Sequence, residues 1–398
     1  MVGEPRKSRV LVLNHFAAPR GQAGGTRHVE MFSRLEGWDH LIIAADKNHL
    51  TGRTVFAEAG LLPVSTVSYS SNGLRRILNW ASYSWGALWA GLRQGKIDII
   101  YASSPHLLAG LAGLILAKVR RVPFVLEIRD LWPQILLHMG QMSETQLIYR
   151  ALTRLEEALY RHADRVVVMA PGTEVELVGR GIPAHKIVYI PNGADPEDFV
   201  PSAERAVLRD RYGFTRLTAV YAGAHGPANG LGLVLAAAEE AAHLPLDIVL
   251  VGSGVAKPAL QEQAAAMKLE NVRFIDPIPK TEIADILSAA DLGLHILADV
   301  ELFRTAVSPN KLFDYMAAGL PILTNSPGLV GDWVVSAGCG WTVTPGELAE
   351  GLRAFTAEDE AGRNAFGQSG QDWLRTNQSR SAMAKRLADM FAEVKQRN

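Results

Sequence analysis

The sequence contains a single cysteine, Cys339. That excludes an internal disulfide and any multi-cysteine zinc site, and it fits a reducing cytoplasm. Lying between Gly338 and Gly340, it reads as a packed small residue. Long apolar runs are also missing. The longest, "LLAGLAGLILA" from Leu107, falls short of the roughly 18 residues a membrane-spanning helix requires and reads as a buried helix. The first nine residues are polar and charged, without the apolar core of a signal peptide, so a cytoplasmic location is expected. No dense basic run or aromatic-basic ribbon occurs, which argues against nucleic acid. There is no G-x-G-x-x-G loop, and no acidic residue ends the second strand at the usual position for a ribose, so a dinucleotide site is not supported.

What is present is an ordinary globular composition over 398 residues, enough for two domains. The net charge of −1 divides unevenly: residues 1–195 carry 22 Lys and Arg against 16 Asp and Glu, and the remainder 18 against 25. A basic first half suits phosphates or an anionic membrane surface.

Short apolar strands alternate with helical segments in both halves. "RVLVLN", "HLIIAA", "DIIYAS", "PFVLEI", "RVVVMA" and "KIVYIP" read as strands in the first, and "TAVYAG", "LDIVLVG", "NVRFID", "LGLHIL" and "PILTN" in the second. Strands buried on both faces and alternating with helices imply doubly wound parallel sheets, hence an α/β protein of two Rossmann-like domains facing a cleft. The break lies in "IPNGADPEDFVPS", giving domains over 1–195 and 196–375, with a closing amphipathic helix within 376–398.

In such sheets ligands sit at the carboxyl ends of the strands, so the loops there are where chemistry is sought. After the first strand, Gly21, Gly24 and Gly25 precede a helix whose positive end points at them. Glu127, Arg129 and Asp130 stand at the mouth of the buried strand "PFVLEI". Asp130 can orient or deprotonate an acceptor hydroxyl and Arg129 can hold a phosphate or carboxylate; an ion pair capping the next helix is the plainer alternative. In the second half, Gly223, Gly226 and Gly230 surround His225 and Asn229. Finally, in "SPNKLFDY" the residues Ser308, Pro309 and Asn310 place free N–H groups and a side-chain cap at a helix start. Arg304 and Lys311 lie beside it, and Asp314 follows Asn310 by one turn.

"SPNKLFDYMAAGLPI" following "ADLGLHI" resembles the C-terminal signature of family 4 retaining glycosyltransferases with the GT-B fold. The early glycine loop, "IPNGAD", "YAGAHGPANGL" and "LVGSG" extend the resemblance over essentially the whole chain. "EIRDLWP" together with "SPNKLFDYMAAG" is most similar to bacterial surface-polysaccharide enzymes that transfer N-acetylated deoxyhexosamines of the L-fucosamine type. The resemblance implies a C-terminal domain that binds a nucleotide-sugar, UDP-linked in preference to GDP-linked, an N-terminal acceptor-binding domain, and a last helix crossing back to it. It implies that Ser308, Pro309, Asn310 and Lys311 hold the diphosphate, that Asp314 binds the ribose, and that Phe274 and Ile275 frame the base. Gly24, Gly25, Gly223, His225 and Asn229 complete the expected donor site.

The pattern departs from the family in three places. Ala306 and Asp314 stand where the family has its two glutamates, so the first is missing and the second shortened. Ala224 and Asn229 replace its arginine and lysine, a loss that Arg304 and Lys311 are expected to offset. Arg129 replaces its histidine, which moves the expected catalytic role to Asp130, with Glu127 and Arg129 beside it. No D-x-D triplet occurs, so neither a metal nor another cofactor is expected. The expected acceptor is a glycan or lipid-linked sugar in bacterial polysaccharide synthesis. Residues 74–96 set Trp80, Trp85 and Trp89 among Arg75, Arg76, Arg93 and Lys96, as an interfacial helix at the inner face of a membrane would require; core packing of those tryptophans is the equal alternative. A nucleotide-sugar epimerase on the same fold and a non-catalytic two-lobed binding protein are the competing expectations.

Overall fold

The computed structural model describes residues 7–20, 22, 25–69, 73–129, 131–134, 137, 143, 145–305 and 307–397. They fall into two compact units, Met1–Pro191 with Ser381–Asn398, and Asn192–Arg380.

The first unit is built on β1 (Ser8–Leu13), β2 (Trp38–Ala45), β3 (Leu61–Val64), β4 (Ile99–Ser104), β5 (Phe124–Ile128), β6 (Arg165–Val168) and β7 (Ile187–Tyr189). They pair in the order β3-β2-β1-β4-β5-β6-β7, all parallel. Every residue of β4 and β5 is buried, because helices cover both faces of a parallel sheet. The helices that matter for the site are α1 (Arg27–Phe32), α2 (Leu74–Leu92) and α3 (Leu107–Arg120). The helix Arg380–Gln396 closes the chain, and it sets Met383, Leu387, Met390, Phe391 and Val394 into the same core as Val10, Phe32 and Trp38. The Phe391 ring lies 5.3 Å from that of Trp38.

The second unit contains β8 (Leu217–Ala222), β9 (Leu246–Val251), β10 (Val272–Ile275), β11 (Leu292–His295), β12 (Ile322–Thr324) and β13 (Gly340–Thr342). Their order is β10-β9-β8-β11-β12-β13, again all parallel. One apolar cluster covers each face of this sheet, with Phe313, Tyr315 and Met316 on one side and Leu235, Leu250 and Phe355 on the other. The expectation of two doubly wound α/β units is borne out. In each sheet the strand order reverses once, between β1 and β4 and between β8 and β11, and the loops beyond those reversals are where ligands bind.

Candidate functional site

In the second unit, the chain leaves β8 through Gly223, Ala224 and His225 and packs against the turn after β9. The fit is so close that a Cβ on Gly252 (φ 140°) would lie 1.9 Å from the Gly223 carbonyl oxygen. Only glycine allows that approach. Lys257, at the start of the helix Lys257–Ala266, fastens the turn by donating to Gly252 O (2.9 Å), Ile275 O (3.2 Å) and the Asp276 carboxylate (2.7 Å). The His225 ring is fully buried 6.2 Å from the Phe274 ring, and neither of its nitrogens has a partner among the described residues. Burial lowers its pKa to about 4, with Lys257 adding to the effect, so the ring is neutral.

The helix Asn310–Ala317 starts just beyond β11. The expected side-chain cap is absent: the N-cap is Pro309, which has no side-chain acceptor. The Ser308 hydroxyl instead accepts from the Asn192 amide at 3.0 Å, and the Asn192 side chain donates to Ser308 O. Among the described residues the first-turn amides are thus left without a side-chain partner, the state in which a helix amino end binds an anion. The Asn310 Oδ1 is likewise enclosed and unpartnered among the described residues.

Lys311 reaches back under the β8 loop. Its Nζ donates to Tyr221 Oη (2.9 Å) and Asn229 Oδ1 (2.8 Å) and lies 4.3 Å from the Tyr221 ring centroid. Burial lowers its pKa to about 7. Gly223, Asn229 and Lys311 are therefore brought together, with Tyr221 as an unforeseen fourth member. Arg304 is held differently, in a half-exposed pair with Asp299 at 3.1 Å. Asp314 lies one turn along from Asn310 and is mostly buried. Phe274 and Ile275 end β10, the Ile275 carbonyl accepting from Gly252 N at 3.0 Å. His295 was not foreseen. It ends β11 fully buried, its Nδ1 2.8 Å from Thr324 Oγ1 and its Nε2 unpartnered among the described residues. The signal for it was the one polar residue in the run "LGLHIL".

In the first unit, Glu127 is fully buried and both its oxygens are engaged. Oε2 accepts from Arg27 and from Tyr101 Oη (2.6 Å), and Oε1 from Ser103 Oγ (2.8 Å), with His28 Nε2 at 2.9 Å. Burial alone would raise its pKa, but Arg27 and then His28 hold it well below the usual carboxylate range. Arg27 also donates to Ile190 O at 3.1 Å. The carboxylate thus ties α1 to β4, β5 and the end of β7 and has no oxygen to offer a substrate. Gly25 (φ 70°) turns against Phe16, whose carbonyl oxygen a Cβ there would meet at 2.1 Å. Arg129 follows β5 and is part-buried. Gly21, Gly24, Asp130 and Ala306 lie outside the described residues.

On α2, Trp80 and the other two tryptophans part company. Trp80 is stacked on His106 at 4.9 Å, whereas Trp85 and Trp89 are exposed and touch edge to face at 5.7 Å. Leu74, Ile77 and Leu78 on the same helix are exposed as well. Among the described residues no helix is long and apolar enough to cross a membrane, and no group of three or more His, Cys, Asp or Glu is placed to hold a metal ion.

Residues 26–193 match the model of a glycosyl transferase 4-like domain, and residues 216–357 that of glycosyl transferases group 1. A protein of Escherichia coli K12, described as a putative colanic acid biosynthesis glycosyl transferase, is 24% identical over 254 residues. That match spans 62% of this chain and 62% of the Escherichia coli protein, less than two thirds of either. The fold is that of sucrose-phosphate synthase from Thermosynechococcus elongatus (TM-score 0.77, 17% identity, 98% of this chain and all of that one). It is equally that of Anabaena HepE in complex with UDP-glucose (TM-score 0.71, 18% identity, 97% and 99% covered).

Proposed function

From a chain made of a glycosyl transferase 4-like domain and a glycosyl transferases group 1 domain on the GT-B fold, we propose a retaining glycosyltransferase that moves a sugar from UDP to a lipid-linked glycan acceptor. The observation that carries the reading is the amino end of the helix Asn310–Ala317. Its amides have no side-chain cap, and a desolvated lysine stands at its second position.

Negative charge grows on the leaving diphosphate as the glycosidic bond breaks. Donors fixed there beforehand stabilise that charge with no reorganisation at the moment of reaction. The amides of residues 310 and 311 and the Lys311 ammonium take this role, and Asn229 and Tyr221 hold the ammonium in place. Asp314 takes the ribose hydroxyls, while Phe274, Ile275 and the neutral His225 border the base. Arg129 and Asp130 act on the acceptor in the first unit. Glu127 positions Arg27 and His28 and does not touch the reacting atoms. Attack on the face of the departing diphosphate accounts for retention, since no nucleophile for a covalent intermediate is evident among the described residues. Neither metal nor other cofactor is required in this scheme.

The exposed face of α2 supplies the acceptor's setting. Trp85, Trp89, Leu74 and Leu78, flanked by exposed Arg75, Arg93 and Lys96, suit the surface of an anionic bilayer at the cytoplasmic side. The test is product analysis with UDP-N-acetylhexosamines, UDP-N-acetyldeoxyhexosamines and a short isoprenyl-diphosphate sugar. Release of UDP with a new glycosidic bond of the donor's anomeric configuration is expected. A product of inverted configuration, or a changed nucleotide-sugar formed with no acceptor present, overturns it.

A further inference from the structure

A pair of histidines at the carboxyl end of the first sheet is fixed in a single proton arrangement. His106 is the N-cap of α3, and its Nδ1 accepts from the Ala109 amide at 3.3 Å. A backbone N–H can only donate, so Nδ1 carries no proton and the neutral ring carries it on Nε2. That Nε2 lies 2.7 Å from His15 Nδ1 and donates to it. His15 Nδ1 is therefore also without a proton, and its ring presents Nε2–H. Burial, with Arg76 nearby, keeps both rings neutral, drawing His106 to about 3 and His15 to about 2.

His15 is held on every other side. Its ring is stacked on Tyr83 at 4.2 Å and 6° and on Phe16 at 4.6 Å, and its backbone carbonyl accepts from the Ala45 amide at 3.0 Å. Tyr83 is itself fixed by donating to Ile43 O at 2.8 Å. Alongside, Trp80 Nε1–H is enclosed and unpartnered among the described residues, an unmet donor that calls for an acceptor atom. The charges that bear on this group are those of Arg76, on His15, His49 and His106, and of Arg129, on His49. No described carboxylate is among them. Fixed N–H donors beside the Arg76 guanidinium, with no acceptor of their own among the described residues, suit an anionic oxygen.

We propose that His15 is a specificity-determining residue, locked by the positioning residue His106 as an Nε2–H donor to a phosphate oxygen of the acceptor. The inference rests on the transferase reading and adds to it that the acceptor carries phosphate and that His15 is not its general base.

Two measurements on the full chain test it. Nitrogen-15 NMR of histidine-labelled protein reads the tautomers directly: His15 and His106 are expected neutral with protonated Nε2 from pH 5 to 8. In His106→Asn, Oδ1 keeps the helix cap but the bond to His15 is lost, and His15 is expected to mix tautomers. A protonated Nδ1 on wild-type His15 at pH 7 overturns the proposal. The second is calorimetric titration with citronellyl phosphate and with inorganic phosphate, at saturating UDP so that the second unit's site is filled. His15→Phe keeps the stacking and removes the donor, and it should weaken the bound probe about 10- to 100-fold, the loss of a hydrogen bond to a charged group. Binding of the isoprenyl phosphate alone identifies a lipid-linked source, and equal binding of both identifies the phosphate group itself. Wild-type affinity in His15→Phe, or no binding of either probe to wild type, overturns it. Thermal unfolding of the variant that matches wild type shows that its first unit is folded. If UDP binds and these tests fail, only this inference falls; if UDP binds nowhere, the transferase reading falls with it.

Discussion

Lys311 offers a prediction whose size follows from its surroundings. An unfolded lysine keeps its proton to about pH 10.5, whereas burial under the β8 loop lowers that of Lys311 to about 7. At pH 7 about half of the side chains carry the charge, and at pH 9 about 1% do. A bound diphosphate supplies the missing counter-charge and returns the pKa toward its ordinary value, so binding above pH 7 takes up a proton. UDP affinity should therefore fall by about 50-fold between pH 7 and pH 9, or about 2 kcal/mol. Calorimetry in two buffers of different ionisation enthalpy should report close to one proton taken up at pH 8.5. Lys311→Met should abolish the pH dependence together with most of the affinity. The same linkage has a consequence for folding. Because the folded pKa lies below the unfolded one, the lysine costs stability fully below pH 7, and the cost is relieved as pH rises from 7 to 10.5. Lys311→Met should accordingly melt higher than wild type at pH 7 while binding UDP worse. An affinity that stays flat from pH 7 to 9 in the wild type would refute the reasoning.

Three further outcomes are expected. Glu127→Gln leaves the Arg27 guanidinium buried without its carboxylate, and should cost about 3 to 5 kcal/mol in chemical denaturation. Gly252→Ala sets a Cβ 1.9 Å from Gly223 O, so the two loops must part. UDP binding should be lost in calorimetry, while the His15 and His106 tautomer signals of the first unit are unchanged. Replacing both Trp85 and Trp89 by serine should release the protein from phosphatidylglycerol vesicles in a sedimentation assay without altering UDP affinity; vesicle binding equal to wild type would remove α2 as the contact.

Much of the fold is legible in the sequence because central parallel strands are continuous apolar runs, and "DIIYAS", "PFVLEI" and "LDIVLVG" all mark strands. The edge strands β3 and β13 escape that reading. One holds four residues including Pro63 and the other three beginning with Gly340, too short and too punctuated for an apolar run to show. The second unit's site is also partly legible, since glycines and a helix start cluster locally after β8 and β11. What sequence could not supply were pairings across long separations. Glu127 reads as a catalytic candidate until Arg27, 100 residues away, is seen to consume it. His15 and His106 are 91 residues apart and look like unrelated loop histidines. The side-chain cap expected from Ser308, Pro309 and Asn310 is missing for the same reason, since the Ser308 hydroxyl serves Asn192, 116 residues earlier. Trp80, Trp85 and Trp89 share one helix, yet only the position of His106 distinguishes the packed tryptophan from the exposed two.

The most direct test of the account is calorimetric titration of the full chain with UDP, GDP and ADP at pH 7, each with and without magnesium. Micromolar binding of UDP, unchanged by magnesium and lost in Lys311→Met, is the predicted result. No binding of any of the three nucleotides would contradict it, leaving the uncapped helix and its lysine without the diphosphate they are argued to hold.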